Sequence, residues 1–339
     1  MTINIFSKPN KDVQEIKKDF SIFNKKNLLF SNKIAKAYNK LPKRIYCKNC
    51  KTKLYKVYDF KSFSVKYKIC RKCNHLNGAH EETQSFFNKN YVSNSNLSKF
   101  YKKDFKARLD KIYIPKVKFL IKNLKIDKKK LKVLDIGCGA GLFNSSLNQL
   151  KIKSIGLDVS SELINVGKNE LGIKNIFNKT EKEIIKEIEN TEFNCVSMIN
   201  VIEHVLEPSL FLKAIKSNKN IKYFFINVPL FGFSSMVQSF FPNVFPRQLG
   251  GLHTHLYTVK SLKFIYKKHK FKPLANWWFG QDSLDFKRSI INQSSFLNSS
   301  DYYNKYLTSF IDSIEEKFQN LIDKSKQCSE VHVILKKSK

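Results

Sequence analysis

At 339 residues, 42% of them hydrophobic, the chain is long enough to bury a substantial core and is excluded from the disordered-tail class. Its net charge of +34 is concentrated early: residues 1–130 carry 34 Lys and Arg against 9 Asp and Glu, and the remainder 28 against 19. A basic field of this kind favours nucleic acid, an acidic carrier protein or the diphosphate of a nucleotide-linked substrate, while an A/T-rich coding bias toward lysine produces the same composition.

The opening "MTINIFSKPNKDVQEIKK" has neither the apolar core nor the small-residue cleavage site of a signal peptide, and the longest apolar run, around "YFFINVPLFGF", is too short to span a bilayer. A cytoplasmic protein without a membrane span is therefore expected. Seven cysteines, four of them in two CxxC pairs, fit a metal site in a reducing compartment better than a disulfide framework.

Residues 1–40 read as a basic helical lead-in, with Val13, Ile16, Phe20 and Phe23 at helical spacing. Next comes a unit over 41–82. "CKNC" at 47–50 and "CRKC" at 70–73 stand 19 residues apart, and apolar residues at odd positions from Tyr55 to Ile69 predict a hairpin turning near "DFKS". A hairpin brings the two knuckles together, so the thiolates of Cys47, Cys50, Cys70 and Cys73 can surround one Zn2+ tetrahedrally. Four cysteines leave no open coordination position, which makes such a metal structural, supplying the folding energy that so small a zinc ribbon lacks. His75 and His80 lie just beyond and are not needed as ligands.

Residues 83–128 predict a helical linker, with Pro115 starting or kinking a helix. From 129 to 339 strands alternate with helical stretches: "KVLDIG", "SIGLDV", "FNCVSMIN" and "YFFINVP", then "FKPLANWWF" and "EVHVILK" as a closing pair around a polar, helix-prone insert at about 282–326. Trp277 and Trp278 read as strand and core residues. This is the pattern of an α/β, doubly wound parallel sheet.

The turn after the first of these strands carries Gly137, Gly139 and Gly141, preceded by Asp135, and Asp158 ends the second strand 17 residues beyond Gly141. Such a turn admits a ligand to the backbone and to the amides of the next helix, and a second-strand acid can accept ribose hydroxyls. The GxGxG spacing with its two acids resembles motif I of the class I S-adenosylmethionine-dependent methyltransferases. "INVIEHVLEPSLFL" and "GGLHTHLYTVKSLKFIYKKHKF" are similar to later segments of that family's small-molecule branch.

The resemblance implies a Rossmann-like, seven-stranded methyltransferase sheet behind the ribbon, with S-adenosylmethionine held by Asp135, Gly137, Cys138, Gly139, Gly141, Asp158, Val159 and Asn200, and by Glu181 of "TEKE" on the adenine side. His204, His253 and His255, with Glu203 and Tyr257 beside them, are the candidates for proton removal and acceptor orientation. The ribbon, linker, sheet and late histidine pair together resemble sugar-modifying methyltransferases of surface-polysaccharide pathways, which implies a small, anionic or nucleotide-linked acceptor. "LHTHLYT" departs from that subgroup in having no acid before the histidine. An RNA methyltransferase using the basic ribbon, and a non-catalytic polyanion-binding scaffold, are the alternative readings.

Overall fold

The computed structural model describes residues 2–8, 24–92, 104–124, 126–250 and 253–338. The helical pattern expected from Val13 to Phe23 lies outside them. Among the described residues no helix is long and apolar enough to cross a membrane.

The chain opens with strand β1 (Ile3–Phe6), so the lead-in is not helical from its start. Helix α1 (Asn24–Tyr38) then leads into a small sheet of β2 (Phe60–Ser62), β3 (Val65–Ile69) and β4 (Leu76–Gly78). The β2–β3 hairpin is shorter than the alternation implies. It turns at Phe63 and Ser64, both with positive φ as a two-residue primed turn requires, whereas Tyr55 and Val57 lie before it and stay exposed.

After helix α2 (Ile114–Leu124), strands and helices alternate: β5 (Lys132–Ile136), α3 (Leu142–Gln149), β6 (Lys153–Asp158), α4 (Ser161–Asn165), β7 (Ile176–Asn178), α5 (Glu181–Asn190), β8 (Cys195–Ile199), α6 (Pro208–Ser217) and β9 (Tyr223–Pro229). Then follow α7 (Phe233–Gln238), β10 (His255–Leu256), α8 (Val259–Lys268), β11 (Phe271–Phe279), α9 (Asp282–Ser294), α10 (Asp301–Lys324) and β12 (Glu330–Lys337). The insert is thus a pair of helices.

The main sheet has the order β1-β11-β12-β9-β8-β5-β6-β7. β12 runs antiparallel to both of its neighbours, and the other adjacent pairs are parallel. Eight strands stand where seven were expected. The eighth, β1, pairs with residues 275–278, and Asn4 and Ser7 accept hydrogen bonds from the indoles of Trp278 and Trp277 at 3.0 Å. Both tryptophans are buried, as expected of strand and core residues.

Alternation along the strands splits the core in two. Leu134, Ile136, Val196, Met198 and Ile226 pack under α5, α6 and α8, while Val133, Cys195, Phe225 and Ile334 pack under α2 and α3. With helices on both faces, the carboxyl ends of the central strands form an open edge where a doubly wound sheet binds its ligand.

A second sheet joins the ribbon to the large domain. β10, from the large domain, pairs antiparallel with β4, setting His255 against Asn77 and Leu256 against Leu76. The ribbon and the large domain therefore share one sheet.

Candidate functional site

Gly137, Gly139 and Gly141 all have positive φ, at 67°, 56° and 83°. At Gly137 the need for glycine is doubled, because a Cβ there would come within 2.4 Å of Val201 Cγ2. The loop is braced from β6: the Asp158 carboxylate accepts from the Gly139 and Ser160 amides, each at 2.8 Å. These groups border a cavity at the carboxyl edge of the sheet, lined also by Val159, Glu181, Asn200, His204 and the apolar Phe87, Leu163 and Phe211. Asn200 takes positive φ at the end of β8, and its amide donates to Asn227 O.

Six of the nine residues expected around a cofactor, Gly137, Gly139, Asp158, Val159, Glu181 and Asn200, line this cavity. Asp135, Cys138 and Gly141 do not. Asp135 is buried behind it, accepting from Ser197 Oγ at 2.6 Å, and burial pushes its carboxyl up to about 7. Cys138 packs against Gly156, and Gly141 sits against Ile173 and Ile176 before starting α3. Phe87 had no sequence signal, since it comes from the segment after the ribbon and reaches the cavity through tertiary packing.

The acid–base candidates separate into two groups. His204 lines the cavity and stacks on His253, ring centroids 5.2 Å apart, and Glu203 Oε1 lies 3.8 Å from His204 Nε2. Burial holds both imidazoles below the ordinary histidine range, His253 at about 4, with the Arg247 charge adding to the effect on His253. They are neutral near pH 7. His255 and Tyr257 turn away from the cavity into the ribbon contact: His75 Nε2 lies 3.0 Å from His255 Nδ1, and Tyr257 packs edge-on against both rings. Two residues apart on one strand would share a face, but the strand begins only at His255 and the chain bends at Thr254, so His253 lies outside the shared sheet.

The four cysteines do come together. Their sulfurs lie within 4.8 Å of one another, three of the residues buried and Cys50 partly so, and Asn49 and Asn77 direct amides at Cys73 and Cys47. Lys51 and Asn74 take positive φ just beyond the two pairs, closing each as a tight knuckle. This donor set fits one tetrahedral, thiophilic ion, with His75 and His80 left out of it.

Glu203 makes the site pH-sensitive. Burial raises its carboxyl to about 8, Glu330 adding repulsion and Lys116 opposing it. A raised carboxyl contributes stability in full below the ordinary range and loses it as pH climbs to the folded-state value. The buried neutral histidines act in the opposite sense, below about pH 6.5. The melting temperature should therefore fall between pH 6.5 and about 8. Glu203→Gln should flatten that fall by the equivalent of roughly 2 kcal/mol, at about 1.4 kcal/mol per pH unit. An unchanged slope in the variant would exclude Glu203 as its origin.

A family model described as a methyltransferase domain matches residues 105–276, just over half of the chain. Among solved structures the chain is similar to an S-adenosylmethionine-dependent methyltransferase from Archaeoglobus fulgidus, with 17% identity over 72% of this chain and 100% of that one at a TM-score of 0.46. It is also similar to a magnesium protoporphyrin IX methyltransferase from Synechocystis, with 11% identity over 76% and 100% at 0.47. A third is an S-adenosylmethionine-dependent methyltransferase from Aquifex aeolicus, with 20% identity over 53% and 89% at 0.39. No curated protein matches the chain.

Proposed function

The chain belongs to the methyltransferase domain family, and from that premise we propose that it transfers a methyl group from S-adenosylmethionine to a hydroxyl-bearing small molecule, a sugar or nucleotide-linked sugar, with a structural zinc in its ribbon. The observation that carries the reading is one cavity bounded by the glycine loop, the Asp158 carboxylate and His204.

S-adenosylmethionine supplies an electrophilic methyl group: the acceptor oxygen forms the new C–O bond as the S–C bond breaks, its electron pair staying on sulfur. In this reading Asp158 receives the ribose hydroxyls, the loop from Gly137 to Gly141 receives the methionine end with Asp135 and Cys138 behind it, Val159 and Glu181 border the adenine, and Asn200 closes the floor. His204, neutral at pH 7, takes the proton that the acceptor loses, and His253 fixes its ring by stacking. The adjacent Glu203 is the stronger base of the group once ionised. His255 and Tyr257 support the ribbon contact.

Arg44 and Lys48 are buried on Glu82, at 2.6 and 3.4 Å, whereas Lys43, Lys51, Lys53, Lys56, Lys61, Lys66, Arg71 and Lys72 are exposed, so the ribbon's charge fits either acceptor class and labelling separates them. Incubation with methyl-labelled S-adenosylmethionine and separate pools of nucleotide sugars, total RNA and carrier proteins should label the sugars. His204→Ala should cut turnover about a hundredfold or more, the scale of a lost general base, while leaving cofactor affinity near wild type. Label in RNA, with affinity falling roughly a thousandfold between 50 and 200 mM salt, would replace this reading with the RNA one.

A further inference from the structure

A second polar cluster lies beside the cofactor cavity and takes no part in it. On the α2 face of the sheet, Asn227 of β9 stands opposite His332 of β12, and both are fully buried. Asn227 Nδ2 lies 3.3 Å from His332 Nδ1, and its Oδ1 accepts from Lys116 Nζ of α2 at 3.3 Å. Because Nδ1 faces an amide donor, the ring's proton sits on Nε2. Among the described residues that Nε2 has no hydrogen-bond partner, and the Glu330 carboxylate lies 4.0 Å from it. Glu203, 2% exposed, feels the charges of Glu330 and Lys116, and among the described residues its Oε2 is also without a hydrogen-bond partner.

Buried polar atoms without partners cost about 1–3 kcal/mol each, and here two, an imidazole N–H and a carboxyl oxygen, belong to the same cluster. The cluster adjoins the transfer point. Asn200, which lines the cofactor cavity, donates its amide to Asn227 O at 3.0 Å, and Glu203 is the neighbour of His204. Across the strand order, Asn227 is two strands from the glycine-loop strand β5, roughly 10 Å at ordinary spacing.

We propose that Lys116, Glu203, Asn227, Glu330 and His332 form the chamber that binds the methyl acceptor, and that its occupant is an uncharged, polyhydroxylated ring. The assignment rests on the methyl-transfer reading above. A hydroxyl both donates and accepts, so a ring of hydroxyls can meet an ammonium, an imidazole N–H and carboxyl oxygens together. A phosphate only accepts, so it could answer the ammonium and the imidazole N–H but not the carboxylate oxygens of Glu330 beside His332. Any phosphate of the acceptor therefore lies outside the chamber.

The test compares wild type with Lys116→Met and His332→Gln in the full chain, using labelled S-adenosylmethionine and a pool of nucleotide sugars, followed by hydrolysis that separates sugar from nucleoside. We expect the label in the sugar, kcat/KM for the pool reduced roughly thirtyfold in each variant, as for a lost hydrogen bond to a buried charged or polar group, and calorimetric affinity for S-adenosylmethionine within twofold of wild type. That affinity reports folding: if Lys116→Met fails it, His332→Gln decides alone. Variants that label sugar as fast as wild type, or label found in the nucleoside, would overturn the chamber and leave methyl transfer standing. Label confined to RNA or protein in the wild type would remove the small-molecule reading itself, and the chamber with it.

Discussion

Replacing Asp158 with alanine should weaken S-adenosylmethionine binding by about 3 kcal/mol, more than a hundredfold in dissociation constant. The carboxylate has two structural bonds, to the Gly139 amide and to the Ser160 amide, and it borders the cavity in which ribose hydroxyls would meet it. Alanine removes the acceptor for those hydroxyls and also frees the Gly139 amide, so a loop held at positive φ loses the brace that fixes it. Two losses from one residue put the effect at the upper end of the range for charge-assisted hydrogen bonds. Asp158→Asn keeps the shape and one acceptor oxygen and should fall between. Calorimetric titration measures all three proteins. Equal affinity in wild type and alanine variant would mean that the cofactor lies elsewhere.

The cofactor side of the site was legible because it is local. Strand, glycine turn and helix follow one another within residues 132–149, and the second-strand acid is placed by the next β-turn-α unit, so short spacing rules reach them. What escaped was long-range. β1 finds its partner some 270 residues away, and His255 finds His75 across 180 positions. In sequence His255 and His253 are equivalent polar residues of one loop, and only the pairing of β10 with β4 sends one into the shared sheet and leaves the other stacked on His204. The acceptor-side residues were masked differently. Lys116 is one lysine among many in a basic helix, yet it is buried. Asn227 and His332 are polar exceptions inside the apolar strands "YFFINVP" and "EVHVILK", the one sign in the sequence that these strands carry more than packing.

Replacing Cys70 with serine, or stripping the metal with a chelator, should abolish turnover while S-adenosylmethionine affinity falls by no more than about tenfold. Around the cysteines the ribbon buries only Leu54, with Phe264 of α8 packed against it, and its Val65, Tyr67 and Leu76 are buried against α1 and the large domain rather than within the ribbon itself. That is too little apolar area to fold such a unit, so the metal must supply the difference, and structural zinc sites bind with roughly 10 kcal/mol or more. A serine hydroxyl is a poor substitute for a thiolate at such an ion. The damage does not stay in the ribbon. Tyr67 of β3 accepts from the Gly250 amide and donates toward the carbonyls of Gly250 and His253. Asn49 donates to Ser261 O at 3.1 Å, and β4 carries β10. Losing the ribbon therefore releases Gly250 and residues 253–256, and with them the His253 ring that stacks on His204. Most of the cofactor cavity is built from residues 136–211 of the main sheet and its helices, and among its lining residues only Phe87 comes from the segment directly after the ribbon, which is why binding should outlast turnover. Metal analysis should give about one zinc per chain in the wild type. A metal-free protein that melts and turns over as the wild type does would show that the cysteine cluster is neither a zinc site nor a support for the histidine loop.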